Sequence, residues 1–182
     1  MSLATMQREP RIATARLVLR PLLARDINDL VAEVNDFEVS RMLARVPYPY
    51  SRADARAFLA AAGKDPNDFP LMITAGGKVI GGIGLSQIEA GCEFGYWLGR
   101  DHWGKGLASE AGRAFLAYAF DRYAVDSMQS GVFADNPASL RVQEKLGFQP
   151  TGRRFVECLA RGKRVEHIDT RLTRARFAEI SP

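Results

Sequence analysis

Residues 102–111 of the chain read HWGKGLASEA, a stretch in which two glycines flank a lysine and small residues follow. Glycine lets the backbone adopt conformations that other residues resist, and it places no side chain in the way of a ligand. Helical spacing begins after Gly106, and a helix start presents unpaired N–H groups and a partial positive charge. This combination predicts a binding site for an anion, most often a phosphate.

Two nucleotide-binding motifs nearly match this turn. The phosphate loop of nucleotide hydrolases fits from Gly99 to Lys105, but Gly106 stands where a serine or threonine should hold magnesium. The dinucleotide fingerprint fits at Gly104 and Gly106, but Ser109 replaces its third glycine. Both motifs are broken at a position that carries their chemistry, which favours a different phosphate ligand.

Cysteine and histidine are too scarce for several kinds of catalytic or metal site. The chain has two cysteines, Cys92 and Cys158, and two histidines, His102 and His167. Both cysteines lie in strand-like stretches, so we expect buried free thiols rather than a disulfide or a nucleophile. The same scarcity argues against a zinc site, and the sequence predicts no metal.

The elements that must position the glycine turn are strands and helices in mixed order. Alternating hydrophobic residues and turn signals predict strands at 15–22, 69–75, 79–87, 92–98, 128–134, 152–159 and 163–172. Helical spacing and capping residues predict helices at 26–37, 52–62, 104–123 and between Asn136 and Gly147. The hairpins before the turn are antiparallel, which is wrong for a dinucleotide-binding unit.

Length and composition indicate one globular domain over residues 1–182. Hydrophobic residues make up 47% and charged residues 25% of the 182 positions. No apolar run is long enough to span a membrane and no signal peptide is evident, so we expect a cytoplasmic protein without a membrane partner.

The net charge of +4 fits a polyanionic partner without requiring one. Basic residues are scattered, with five arginines in 8–25 and six basic residues in 161–176. We interpret both groups as solvated strand faces, which argues against nucleic-acid binding.

Three separated segments carry a resemblance. They are Tyr96-Trp97-Leu98 on a strand, the turn and helix start from Trp103 to Ala111, and the segment from Asn136 to Phe148. Together they resemble the GNAT superfamily of N-acetyltransferases, and within it the branch of ribosomal-protein N-terminal acetyltransferases. The opening TARLVLRPL and the EKLGF at 144–148 are similar to that branch as well. The likeness covers about residues 12–172, taken as the domain core.

The resemblance implies an α/β (α+β) fold with a mixed, mostly antiparallel central sheet of about six to seven strands. Helices should flank the sheet, and its strands should splay apart at the acyl-CoA site. It also implies acetyl-CoA as co-substrate, with no metal. The family's pyrophosphate motif places its glycine and small positions on Gly106 and Ala108, and its first position, usually Gln or Arg, on Trp103. The expected acetyl-CoA contacts are Tyr96, Trp97, Leu98, Trp103, Gly104, Lys105, Gly106, Leu107, Ala108, Ser109, Asn136 and Ser139.

The resemblance also implies the chemistry, which is transfer of an acetyl group to an amine by direct attack in a ternary complex. Glu93 matches the family's general base, with Glu157 as a rival, and Ser139 matches a residue that stabilises the departing thiolate. Gln143 stands where many relatives have a tyrosine general acid, and glutamine cannot supply that proton. Surface ion pairing for Glu93 and a helix-start role for Ser139 remain open alternatives.

The acceptor is either a protein N-terminus or a small amine. Residues 24–62 and the hairpin at 158–166 are candidate acceptor-side segments, and 43–51 is either a pocket wall or a structural loop. A non-catalytic sensor that binds coenzyme A is the alternative function, and a homodimer is left open.

Overall fold

The computed structural model describes residues 10–180, so the ends of the predicted domain, 1–9 and 181–182, lie outside the described residues. One sheet of eight strands runs in the order β1-β2-β3-β4-β5-β6-β8-β7. The strands are β1 Ile12–Ala13, β2 Val18–Arg20, β3 Phe69–Ala75, β4 Lys78–Ser86, β5 Glu93–Leu98, β6 Ser127–Phe133, β7 Gln149–Cys158 and β8 Lys163–Thr173. Neighbouring strands are antiparallel except for β5 and β6, which are parallel.

The described helices are α1 Ile27–Val34, α2 Phe37–Ser40, α3 Arg52–Ala61, α4 Leu107–Arg122, α5 Pro137–Lys145 and α6 Arg174–Ile180. Local signals start two of them as expected. Ser51 and Asp54 form a reciprocal capping box at the start of α3. Asn136 caps α5, and Pro137 follows as its first residue.

Two layers of helices cover the sheet. On one face, α4 buries Ala111, Phe115 and Leu116 against a core that includes Leu19 and Phe94. On the other face, the region of α1 to α3 forms a smaller core with Met72 and Val79. The strand β5 lies in the middle of the sheet between these layers, where its two faces meet different surroundings.

The structure confirms the predicted class of fold and corrects some boundaries. The sheet has eight strands rather than six or seven, because the two-residue β1 is too short to show an alternating pattern. The predicted helix 26–37 is interrupted after Val34, where Asp36 accepts a bond from the Glu38 N–H and starts α2. None of the described helices has both the length and the apolar character needed to span a membrane.

Candidate active site

The strands β5 and β6 pair at one position and then diverge. Glu93 lies opposite Gln129, whose N–H donates to the Cys92 carbonyl oxygen over 2.9 Å. Next to this pair, the Ser130 hydroxyl donates to the Phe94 carbonyl oxygen over 2.8 Å. This side-chain hydrogen bond takes the place of a backbone hydrogen bond between the two strands. Over the rest of the described strands no further β5–β6 pair forms. The predicted splayed strands are therefore present.

The divergence turns backbone groups of β5 towards an open gap. The carbonyl oxygens of Cys92 and Phe94 both point to the β6 side. Because backbone groups alternate along a strand, the N–H and carbonyl of Tyr96 point the same way. Polar groups in such a gap are ready to bind a ligand that runs along the strand.

Side chains of β5 alternate between the two faces of the sheet. Phe94 is buried in the core against α4, and Tyr96 packs against the same core. Glu93, Gly95 and Trp97 lie on the opposite face, where Trp97 packs against the α1 to α3 layer. Gly95 is exposed, and a Cβ added there would meet no atom within 4 Å. The space between Glu93 and Trp97 is therefore open.

The turn before α4 has the geometry of an anion site. Gly104 and Gly106 adopt φ angles of +70° and +74°, in the left-handed region that favours glycine. These conformations also explain why α4 begins at Leu107 rather than at Gly104. Gly106 is the N-cap residue and makes no side-chain cap, so the N–H groups of residues 107–109 are left for a ligand.

Two side chains of this segment hold the turn itself. The Trp103 indole Nε1 donates to the Leu98 carbonyl oxygen over 2.8 Å, which ties the turn to the end of β5. The Lys105 Nζ donates to the Asp101 carbonyl oxygen over 2.7 Å, so the ammonium group lies against the turn that contains Lys105. The other predicted contacts here lie in the first turn of α4, namely Leu107, Ala108 and Ser109.

Glu110 and Arg16 hold the turn in place, and the sequence predicts this role for neither residue. The Glu110 carboxylate accepts bonds from the Thr14 hydroxyl at 2.6 Å, the Arg16 N–H at 2.9 Å and the Arg16 Nε at 2.6 Å. Partial burial opposes the charge on Glu110, but these hydrogen bonds outweigh it and lower the pKa of the carboxyl. Arg16 also donates to the Lys105 carbonyl oxygen over 3.0 Å. The β1–β2 hairpin thus braces the helix start.

The start of α5 brings Ser139 to Tyr96 across the gap. The Ser139 N–H donates to the Asn136 Oδ1 over 3.1 Å, which is the helix cap. The Ser139 Oγ lies 2.7 Å from the Tyr96 hydroxyl, which also contacts the Ser139 carbonyl oxygen at 3.1 Å. Burial raises the pKa of Tyr96 to about 12, against the smaller opposite effect of the bond to Ser139. The Tyr96 hydroxyl therefore keeps its proton at neutral pH.

Gln143, one turn further along α5, has a structural role. Its side chain is 1% exposed and donates to the Ser130 Oγ over 2.8 Å and to the Gly131 carbonyl oxygen over 3.2 Å. Its own oxygen accepts a bond from the Thr170 hydroxyl at 2.6 Å. The position at which relatives carry a tyrosine acid is here a buried link between α5, β6 and β8.

Glu93 and Glu157 lie in different places. Glu93 forms an exposed ion pair with Arg45, with 3.1 Å between Oε2 and the guanidinium nitrogen. Glu157 lies on the edge strand β7, and β6 and β8 separate that strand from β5. The strand order therefore places Glu93, and not Glu157, beside the gap.

The two predicted acceptor-side segments meet next to this face. Arg161, in the turn after β7, donates to the Arg41 carbonyl oxygen over 2.6 Å and pairs with Asp135 at 2.8 Å. The hydrogen bonds from Arg161 lower the pKa of Asp135. The Leu159 N–H also donates to the Ala44 carbonyl oxygen over 3.0 Å. These bonds join 41–44 to 159–161 beside the end of β6.

The cysteines are not placed for catalysis. Cys92 and Cys158 are both buried free thiols, as expected. Burial raises the pKa of the Cys92 thiol to about 11, which opposes formation of a nucleophilic thiolate. Within residues 10–180 no group of histidine, cysteine and acidic side chains has the arrangement of a metal site.

Comparison with known proteins points to one family. Residues 16–149 match the family model of the GNAT acetyltransferase domain. The uncharacterized N-acetyltransferase p20 of Bacillus licheniformis is 30% identical over 147 residues, which are 76% of this chain and 82% of that protein.

Two solved structures with bound coenzyme A compounds share the fold. The spermidine N-acetyltransferase from Vibrio cholerae in complex with CoA and spermine is 20% identical, with a TM-score of 0.78 over 91% of this chain and 99% of that chain. Mycobacterium smegmatis RimJ in complex with CoA-disulfide is 16% identical, with a TM-score of 0.80 over 92% and 88% of the two chains.

Proposed function

Because the chain belongs to the GNAT family of acyl-CoA-dependent acetyltransferases, we propose that it moves the acetyl group of acetyl-CoA to a primary amine by direct attack in a ternary complex. The acceptor is a protein N-terminus or a small amine. The observation that carries this proposal is the gap beside β5, with Glu93 on one face of the sheet and Ser139 on the other.

The cofactor side of the site follows from the helix starts. The pyrophosphate of acetyl-CoA binds the free N–H groups at 107–109, where the helix dipole and the bare turn at Gly104 and Gly106 favour an anion. The pantetheine arm runs along the gap and bonds the carbonyl of Tyr96, which leaves the Tyr96 N–H for the thioester. Asn136 contributes by holding the start of α5 beside the arm.

The acceptor amine approaches from the face of Glu93 and Gly95. Glu93 takes a proton from the ammonium group, directly or through water, because only the neutral amine is a nucleophile. The amine nitrogen then attacks the thioester carbonyl carbon, which the Tyr96 N–H polarises as a fixed dipole. The C–S bond breaks, its electron pair moves to sulfur, and the Ser139 hydroxyl stabilises the thiolate. The nitrogen of the new amide gives its excess proton to water.

Arg45 belongs to the acceptor side of this mechanism. It pairs with the Glu93 carboxylate, and both side chains are exposed enough for an incoming ammonium group to displace the guanidinium. The segments at 41–44 and 159–161, which are bonded to one another, form the wall next to this entry.

Steady-state kinetics test the proposal with purified protein, acetyl-CoA and two acceptors, a peptide with a free N-terminus and spermidine. A ternary complex gives intersecting lines when both substrates are varied, whereas an acyl-enzyme gives parallel lines. Glu93→Gln should lower kcat by roughly 100-fold, the usual loss for a general base, with little change in the KM for acetyl-CoA. Glu157→Gln is the matched control and should behave like the wild type. An unchanged kcat in E93Q, or an equal loss in E157Q, would remove Glu93 from the reaction.

A further inference from the structure

The contact between Tyr96 and Ser139 is a bridge over the gap. Tyr96 belongs to β5, whereas Ser139 belongs to the helix that follows β6, so their bond joins the two sides of the divergence. A thioester lying in the gap therefore passes next to this pair of hydroxyls. The bridge is partly buried and ends at the first turn of α5.

The pair has two hydroxyl protons and a limited set of acceptors. The Tyr96 proton goes either to the Ser139 Oγ at 2.7 Å or to the Ser139 carbonyl oxygen at 3.1 Å. If it goes to the Oγ, the serine's own proton is free to bind an anion in the gap. If it goes to the carbonyl, the serine can donate to the tyrosine oxygen instead. The 2.7 Å contact fits a bond in either direction, and an anion in the gap favours the first arrangement because only that one leaves the serine proton to bind it.

The tyrosine is suited to donate this bond rather than to act as an acid. A thiol has an ordinary pKa near 8.5, well below the value of about 12 that burial gives Tyr96. Full transfer of the tyrosine proton to a thiolate is therefore unfavourable, whereas a hydrogen bond from the neutral hydroxyl is not. α5 supplies no substitute acid at position 143, since both ends of the Gln143 amide are already bonded.

We propose that Tyr96 is a positioning residue for Ser139, whose hydroxyl proton it directs to the sulfur of coenzyme A. The proposal rests on the role of Ser139 in the proposed function. No proton leaves either side chain in this step. The C–S bond breaks, sulfur takes the electron pair as a thiolate, and that thiolate accepts a hydrogen bond from Ser139 while Ser139 accepts one from Tyr96. The thiolate then takes its proton from water after release.

The sulfur itself reports this arrangement without any turnover. Bound coenzyme A is titrated by the ultraviolet absorbance of its thiolate between pH 6 and 10, with desulfo-coenzyme A as the reference for protein absorbance. A directed hydroxyl should stabilise the thiolate, so the thiol pKa should rise by about one pH unit in Ser139→Ala and in Tyr96→Phe. The double variant should titrate like S139A alone, because the tyrosine acts only through the serine.

Tyr118→Phe is the matched control, because Tyr118 stacks on Phe69 away from the gap and its variant should titrate like the wild type. In turnover, Y96F should lower kcat about tenfold and leave the KM for acetyl-CoA within about twofold, which is the loss of an interaction made as the thiolate forms. A loss of fold would instead change coenzyme A affinity in the same titration.

Three results would overturn the inference: a Y96F protein that titrates like the wild type, shifts that add in the double variant, or an S139A protein without a shift. The proposed function fails separately. If no amine is acetylated while the coupled shifts appear, the function is wrong and the positioning role stands. If amines are acetylated while the shifts add, the function stands and the positioning role is wrong.

Discussion

Glu93 and Tyr96 are three positions apart on β5, and that odd spacing puts them on opposite faces of the sheet. Glu93 pairs with Arg45 on the proposed acceptor side, whereas Tyr96 contacts Ser139 on the proposed cofactor side. In the proposed mechanism, one strand therefore separates the group that takes a proton from the group that stabilises the leaving thiolate. Such separation suits a reaction in which two substrates meet in the gap.

At the same scale, the hydrogen bonds of the Gln143 side chain explain why a glutamine occupies this position. A glutamine at the position where the resemblance implies a tyrosine acid, beside an intact cofactor motif, would suit the alternative function, a non-catalytic sensor. In the structure its side-chain amide is hydrogen-bonded to Ser130, Gly131 and Thr170. The substitution therefore reflects core packing and no longer favours the sensor.

The buried Cys92 thiol predicts a dependence of stability on alkaline pH. Its pKa is raised to about 11 in the folded chain from an ordinary value of 9.0. The unfolded chain therefore loses this proton first, and the stability that the neutral thiol contributes is full below pH 9 and declines towards pH 11. The decline from this group is up to about 3 kcal/mol.

Urea unfolding at pH 8 and pH 10 measures this decline. Between pH 8 and pH 10, the unfolding free energy of Cys92→Ala should fall by less than that of the wild type, since alanine does not titrate. The cavity that alanine leaves lowers stability equally at both values and cancels in the comparison. Equal losses in the two proteins would contradict a raised thiol pKa.

At the scale of elements, the helix start of α4 and the bracing hairpin form one unit. The glycines supply a bare turn, the helix supplies free N–H groups, and Glu110 attaches both to Thr14 and Arg16. Arg16 is half exposed, so its ion pair contributes more to the position of the turn than to stability. Precise placement of the N–H groups is what a pyrophosphate site needs.

Substitution of a glycine in the turn before α4 should weaken the binding of acetyl-CoA, and a glycine elsewhere in the chain provides the control. Gly106→Ala forces an alanine into a left-handed conformation and places a Cβ over the helix start, so stability should fall by about 1 kcal/mol and the Kd for acetyl-CoA should rise about tenfold. Gly63→Ala has the same strain, with a φ of +73° and no atom within 4 Å of an added Cβ. It should lose similar stability and keep its affinity, as measured by calorimetric titration. Equal affinities in both variants would mean that the turn does not hold the cofactor.

At the scale of the molecule, several of the described arginines pair with acidic side chains or donate to backbone carbonyls. Arg20 pairs with the buried Asp26 at 2.6 Å, Arg154 with Asp169 at 2.8 Å, and Arg174 donates to backbone carbonyls around 120–125. Arg20 and Arg174 belong to the two arginine-rich stretches, 8–25 and 161–176, for which solvated strand faces stay a prediction. The helix start beside the gap is the anion site that the proposed function uses.

The whole protein should therefore be stabilised by acetyl-CoA and not by other nucleotides. At about 100 times its Kd the ligand adds about 2.7 kcal/mol to the unfolding free energy, or roughly 5 to 10 °C in Tm for a chain of this size. Thermal unfolding with ATP–magnesium and NAD in parallel provides the controls. Stabilisation by either of these, with none by acetyl-CoA, would assign the phosphate site to a different nucleotide.

The sequence by itself determined most of the elements and the glycine turn before α4, because those depend on neighbouring residues. Hydrophobic alternation located β3 as Phe69–Ala75, and the caps at Ser51 and Asn136 located two helices. The positive φ angles at Gly104 and Gly106 also follow from glycine in a local turn.

Tertiary structure alone decided which side chains meet. Arg16 and Glu110 are 94 positions apart, and Tyr96 and Ser139 are 43 apart. The strand order set Glu93 beside the gap and Glu157 on the edge strand β7, although both are glutamates on predicted strands. The pattern of hydrophobic residues along the chain does not specify which strands become neighbours. The strand order follows from how the whole sheet buries its two faces.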